Sequence, residues 1–438
     1  MISNTTLLNA RWIIPVEPRG QVLEHHSLVM TGTRIEALLP VGEARNRYPQ
    51  AQAVALPNHV LIPGLINLHT HAAMTLMRGL ADDTPLMTWL QDHIWPAESK
   101  HLSESYVFDG TELATAEMIR SGTTCFADMY FYHDVAARAA LKSGMRAALG
   151  GAVLEFPTPY AADAEAYLAK GTVTREEFLA EPRLKLMIAP HAPYTVSDKT
   201  FARIVTIASE MDIAVMMHVH ETAAEVSQGI QEHGMRPIDR LSRLGVLGPN
   251  LIAVHCVHLN ALEIELFARA GVHVAHCPVS NLKLASGIAP VKAMLEAGIN
   301  VGIGTDGTAS NNRLDMLAET RLAAMLQKGM SGDAATLPAW QALEMATLNA
   351  AKALGWDREI GSLVPGKAAD LVAIDLSSIE TQPCYDPSSH LFYAAGREHV
   401  SHSWVNGVLL LDNRVLTKLD QEELKAKAAV WQQRFREH

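Results

Sequence analysis

The sequence predicts an α/β protein: a (β/α)8 TIM-type barrel with a small composite β-sandwich domain formed by both termini. Two observations carry this. From residue 59 to about residue 305, eight short apolar strands alternate with longer helical patterns, the rhythm of a parallel sheet with helical crossovers. On either side the pattern changes to short β-branched or alternating runs punctuated by glycine. A doubly wound open sheet is the competing architecture, but no Gly-rich dinucleotide fingerprint follows the first barrel strand. The expected divisions are residues 1–58 for the N-terminal part of the sandwich and 59–360 for the barrel. Residues 361–438 supply its C-terminal part and a final helix.

Taken in order, the runs 12–16 and 27–30, separated by Gly20, Gly32 and Gly42, read as a small antiparallel β unit. LIPGLINLHTH, residues 61–71, is an apolar run broken by Pro63 and Gly64 and short enough for a buried strand. It ends in His69 and His71. Positions i and i+2 of a strand share a face, so the two imidazoles project together, a natural start for a metal site. Further strands are predicted at 123–129, 146–155, 184–190, 213–220, 251–257, 272–277 and 300–305. Helical patterns lie between them, for example at 104–120, 198–211, 261–270 and 290–297. A helical stretch at 338–354 precedes GSLVPGKAADLVAIDL, a turn-rich start followed by a strand, and strand-like pieces at 400–405 and 408–411. A charged helix at 421–436 closes the chain, and the tail is expected to pair with the N-terminal β unit.

Composition removes several function classes. Apolar residues make up 48% of 438, ample for a large core, while the net charge of −11 offers no footprint for nucleic acid or an anionic membrane. MISNTTLLNARWIIPVE lacks the basic start and apolar block of a signal peptide, and no apolar run reaches bilayer length. Four widely spaced cysteines form no CxxC pair, so a disulfide framework is not expected. A soluble cytoplasmic protein is the expectation.

In a barrel of this type the C-terminal strand ends carry chemistry. The second predicted strand ends in Asp128 and the fourth in PHAP, with His191. The fifth ends in HVHE, with His218, His220 and Glu221; the sixth in HCVH, with His255 and His258. The seventh ends in HCPVSN, with His276, and the eighth in GTDG, with Asp306. Packing alone asks only for apolar residues at these places, so polar tips on nearly every strand mark a site. Periodicity leaves His218 and His220 on one face, and either would serve as a ligand.

The combination PGLINLHTH, HVHE, HCVH and GTDG resembles the amidohydrolase superfamily of metal-dependent barrel hydrolases, with GSLVPGKAADL similar to its usual re-entry into the flanking β domain. Within it, HTHAAMTLMRGLADD, WPAE, NLKLASGIAPV and GTDGTASNN look like the 5'-methylthioadenosine/S-adenosylhomocysteine deaminases. The resemblance implies that His69, His71, His218 and Asp306 hold one divalent ion, zinc by donor chemistry, with iron chemically acceptable. The family's HxxE spacing selects His218 over His220. The fourth strand ends LMIAPHAP with no lysine at its tip, which implies one metal rather than a lysine-bridged pair.

The same resemblance makes Glu221 the proton carrier between attacking water and ring nitrogen, with His255 and Asp306 assisting catalysis. Glu98 in WPAE would accept the two ribose hydroxyls, and His191 would reach the nucleoside. The outcome is loss of ammonia from C6 of an adenine ring. His276 reads as a support of the site, and His258 and Asp128 as structural. Members that act well on S-adenosylhomocysteine carry an arginine near the third strand's end, where this chain has Gly151. The expected preference is therefore 5'-methylthioadenosine, then adenosine, then S-adenosylhomocysteine. The alternative is an aminohydrolase or chlorohydrolase on another heteroaromatic ring, guanine or an s-triazine. A non-catalytic barrel would have no reason to keep the full ligand set. Relatives commonly assemble as homo-oligomers, which is the expectation here.

Overall fold

The computed structural model describes residues 5–437. Two eight-stranded sheets organise the chain, one of them parallel. Its strands are β1 (Leu65–Thr70), β2 (Thr123–Tyr130), β3 (Arg146–Val153), β4 (Leu184–Pro190), β5 (Val215–Val219), β6 (Leu251–His255), β7 (His273–His276) and β8 (Asn300–Ile303). They hydrogen-bond in chain order, with parallel registers such as Leu251↔Val215 and His273↔Asn300. The seam between last and first strands is bridged too. The Asp306 N–H donates to the His69 carbonyl at 3.0 Å. The Asn67 amide donates to Thr305 Oγ1 at 2.7 Å and its oxygen accepts the Thr305 N–H at 2.9 Å. This is the (β/α)8 barrel the sequence predicts. Every residue of β1, β2 and β3 is buried, as expected where helices cover a parallel sheet.

Several boundaries differ from the predicted segments, four of them for a visible local reason. The run at 61–71 is split at Gly64: Leu61–Pro63 finishes the strand Gln52–Pro63 of the other sheet, and β1 begins at Leu65. A Cβ on Gly64 would sit 1.9 Å from Thr124 Oγ1, so only glycine fits this crossing. β5 and β6 end earlier than their apolar runs. His220, His255 and Cys256 have φ of 52°, 70° and 51°, which turns the backbone out of the ladder there. The helical stretch 338–354 is two helices, Ala339–Met345 and Leu348–Ala353, with Thr347 breaking the helix between them at φ −135°, ψ −88°.

The second sheet draws on both ends of the chain. Leu371–Asp375 pairs antiparallel with Gln52–Pro63, Leu371 opposite Pro63, and so joins the C-terminal strands to the N-terminal ones. Leu8, Ile13, Leu28, Leu61, Leu371 and Trp404 belong to its core. Thr5–Ile13 lies parallel to Gln52–Pro63, a departure from the antiparallel reading, because a hairpin and the helix Val41–Arg47 intervene.

Contacts divide the chain into two compact units: Met1–Ile66 with Ala116–Cys125 and Asp315–Leu419, and Asn67–Thr115 with Phe126–Leu314 and Asp420–His438. The C-terminal helix Gln421–Arg436 belongs to the second unit, where Trp431 Nε1 donates to Asp109 Oδ2 at 2.9 Å. Among the described residues no helix is long and apolar enough to cross a membrane.

Candidate active site

The C-terminal ends of β1, β5, β6 and the loop after β8 converge on one point within the second unit. His69 Nε2 lies 3.2 Å from His218 Nε2. Asp306 Oδ1 lies 3.4 Å from His69 Nε2 and 3.3 Å from His71 Nε2. The spacing of the two glycines in GTDG makes this possible. A Cβ on Gly304 would come within 2.8 Å of the His69 nitrogen, and one on Gly307 within 3.1 Å of His71 Cβ. Both lie in the loop after β8, against the paired histidines; Gly304 leaves no room for a side chain and Gly307 only a tight fit.

Two of the ligand candidates are aimed by further partners. His71 Nδ1 donates to the Met129 carbonyl at 2.6 Å, which turns Nε2 inward. Asp306 has its Oδ2 occupied by Ser280 at 2.6 Å and Ser310 at 2.8 Å, leaving Oδ1 toward the imidazoles. Burial opposes its charge, but the hydrogen bonds of His69 and His71 hold its carboxyl well below the usual range. Burial, and the neighbouring imidazoles after it, keep His218 neutral, the form in which a histidine binds metal. Burial likewise lowers His69 to about 4.

These atoms suit a zinc-sized cation. With bonds of about 2.1 Å, ligands at the corners of a tetrahedron lie roughly 3.4 Å apart. The observed spacings of 3.2, 3.3 and 3.4 Å match that edge. His220, which periodicity could not separate from His218, stands outside the cluster with its Nδ1 3.7 Å from Glu263 Oε1. The left-handed turn at His220 is what sends the two histidines apart.

Glu221, His255, His191 and Glu98 line one cavity of about 310 Å³ with His71, His218 and Asp306. Glu221 Oε2 lies 3.8 Å from His255 Nε2. His255 Nδ1 donates to Asn281 Oδ1 at 2.8 Å, which points Nε2 at the cavity. Burial raises the Glu221 carboxyl, with Asp306 adding to the rise and His255 opposing it. Glu98 Oε1 accepts the Tyr130 hydroxyl at 2.6 Å. Withdrawal of its carboxyl from water raises it to about 7 against that hydrogen bond and His71. Against burial, Asp306 raises the His71 imidazole to about 9, and a bound cation would hold that ring neutral. His191, near Thr195 Oγ1 at 3.2 Å, is lowered to about 3, by burial first. Every residue proposed for the site thus reaches one cluster or one cavity wall.

A model of the amidohydrolase family matches residues 60–410. The chain belongs to the amidohydrolase family. A relative from Teredinibacter turnerae named 5-methylthioadenosine/S-adenosylhomocysteine deaminase is 45% identical over 438 residues, 99% of each chain. One from Methanosarcina acetivorans named 5'-deoxyadenosine deaminase is 41% identical over 96% of each. Among solved structures, an adenosine deaminase from Xanthomonas campestris with bound zinc is similar at a TM-score of 0.98 and 46% identity, covering 99% of both chains.

In this amidohydrolase the residues that hold the candidate ligands and acids were given no role from the sequence, although Ser280 and Asn281 stand in HCPVSN and Ser310 in GTDGTASNN. Ser280 and Ser310 on Asp306, Asn281 on His255 and Tyr130 on Glu98 act through another side chain. Asp128 accepts the Thr70 hydroxyl at 2.9 Å and the Ala72 N–H at 2.7 Å, tying β2 to the end of β1. His276 is buried with neither ring nitrogen hydrogen-bonded. Of the aromatic and aliphatic wall of the cavity, Trp95 opens the WPAE motif, but Phe131, Leu154 and Phe156 were invisible to motif reading. Apolar residues carry no distinctive spacing once they leave regular elements.

Proposed function

We propose that this amidohydrolase is a metal-dependent hydrolytic deaminase of adenine nucleosides, preferring 5'-methylthioadenosine, then adenosine, then S-adenosylhomocysteine. His69, His71, His218 and Asp306 would hold one divalent ion, zinc. When bound, the ion supplies Lewis-acid activation that brings water toward ionisation near neutral pH.

The chain's own residues do the rest. Glu221 takes a proton from the attacking water and delivers it to N1 of the adenine ring; its raised carboxyl pKa suits both halves of that transfer. His255, oriented by Asn281, hydrogen-bonds the attacking oxygen as it adds to C6. A proton then moves to the exocyclic nitrogen, which leaves as ammonia, and the ring becomes the hypoxanthine of the inosine analogue. Glu98 accepts two hydroxyls from the ribose and sets the base against Glu221; His191 contacts the nucleoside from the β4 side.

The observation that carries the substrate preference is the wall beyond Glu98. Trp95 and Phe156 meet edge to face at 5.9 Å there, and no lysine or arginine lines the cavity among the described residues. Gly151, where an arginine would be needed, would place even a Cβ 2.9 Å from the His133 ring. A carboxylate entering this wall would lose hydration without a cationic partner. An apolar methylthio group suffers no such loss. Steady-state turnover of the three nucleosides, followed by adenine-to-hypoxanthine absorbance, tests the order. S-Adenosylhomocysteine used as well as 5'-methylthioadenosine would refute it. The same reading has the enzyme cytoplasmic and homo-oligomeric, supported by composition and family likeness; light scattering of the purified chain tests the second point.

A further inference from the structure

We propose that Glu225 is the positioning residue for Glu221: its carboxylate clamps the two consecutive backbone N–H groups of His220 and Glu221. The inference rests on the reading of Glu221 as proton carrier. The His220 N–H donates to Glu225 Oε1 and the Glu221 N–H to Glu225 Oε2, each at 2.8 Å. The carboxylate is 6% exposed and sits in the first turn of the helix Ala223–His233. The Glu225 N–H is itself fixed, donating to the hydroxyl of the N-cap Thr222 at 3.1 Å.

This arrangement departs from an ordinary helix start. In a capping box the third residue reaches back to the N-cap's own N–H. Glu225 reaches past Thr222 to the two residues before it. Those residues form the turn in which the chain leaves β5 through a left-handed His220, φ 52°. A non-glycine residue in that region holds only where its surroundings over-determine it. The His258 N–H holds the other side of the turn, donating to the His220 carbonyl at 3.1 Å. Glu225 fixes its two N–H groups, and the turn decides where Glu221 points.

A carboxylate is required for this. Two N–H donors one residue apart need two acceptors on one group, and a glutamine would aim its NH2 at one of them. Burial opposes the charge of the Glu225 carboxyl and pushes it up to about 8, with Glu221 adding to the rise, while the hydrogen bonds from the His220 and Glu221 N–H groups pull the other way.

The test compares the parent, Glu221→Gln, Glu225→Gln and the double variant with adenosine as substrate. kcat, KM, zinc per chain and melting temperature are measured for each. The clamp predicts that Glu225→Gln keeps zinc and KM while kcat falls roughly 10²-fold, the size of an ångström-scale misplacement. It further predicts no additional loss from Glu225→Gln in the Glu221→Gln background, since a residue acting through Glu221 has nothing left to position. Parental kcat in Glu225→Gln overturns the proposal, as does an equal fall in both backgrounds or a loss that follows zinc content. If Glu221→Gln itself turns over like the parent, the proton-carrier reading fails and this inference with it. Should Glu225→Gln not fold, Glu225→Asp, which keeps the charge but loses one methylene of reach, carries the same comparison.

Discussion

Asp306 and Glu98 are both carboxylates in one cavity, but their neighbours leave them with opposite tasks. Two serine hydroxyls saturate one oxygen of Asp306 and two imidazoles flank the other, so it stays ionised and faces the cation site. The Glu98 carboxylate accepts a hydrogen bond from Tyr130 and keeps acceptor capacity for a ligand. Glu98→Gln removes one charged acceptor from a pair of ribose hydroxyls. Charge-assisted hydrogen bonds of this kind contribute about 1.5–3 kcal/mol, so kcat/KM for ribonucleosides is expected to fall roughly 10- to 100-fold. A 2',3'-dideoxy substrate should be nearly indifferent to the change, and a guanine- or triazine-directed enzyme would show no such contrast. The raised pKa of Glu98 adds a pH signature. A carboxyl lifted to about 7 is neutral below that value, and the neutral form has lost acceptor strength. kcat/KM for adenosine is therefore expected to drop as pH falls through about 7. The ratio of adenosine to its dideoxy analogue should shrink over the same range, measured between about pH 6 and 8.

The strands show why some of this was readable and some was not. Period-two spacing put His69 and His71 on one face, and the barrel rule put His218, His255 and Asp306 at the same end, so the convergence of candidate residues was legible from residue order, while the choice of ligands among them came from the family resemblance. The choice between His218 and His220 was not legible there, because it depends on a left-handed turn whose stabilising partner lies five residues away in the next helix. The apolar run at 61–71 concealed a change of sheet for a related reason: the two strands differ in their pairing partners, not in their composition. Glycines are the readable trace of such close approaches. Gly304→Ala places a methyl against the backbone nitrogen of His69, at 2.8 Å from an atom that cannot swing away. Overpacking of that kind typically costs about 1–3 kcal/mol. The variant is expected to melt lower and, because His69 must shift, to bind zinc more weakly, read by calorimetry and by zinc titration. A variant with parental zinc affinity would mean that the seam yields on the other side.

At the scale of the whole barrel, closure joins residues far apart in the chain: Asn67 and Thr305, 238 positions apart, meet across the seam beside the candidate metal ligands. Bringing such distant segments together has an entropic cost that local helices and hairpins do not meet alone. A cation held by β1, by the end of β5 and by the loop after β8 ties the first strand, the middle and the last into one unit. The unfolded chain has no preformed site, so ion binding is expected to add directly to folding stability. An ion present at a hundred times its Kd contributes about 2.7 kcal/mol. Stripping the protein with a chelator should therefore abolish adenosine turnover and lower the melting temperature together. Zinc added back should restore both with the same concentration dependence. Activity and melting temperature recovering at clearly different zinc concentrations would separate the catalytic ion from the stabilising one. The seam would then have to be held by hydrogen bonds alone, chiefly those of Asn67 and of Asp306 to His69.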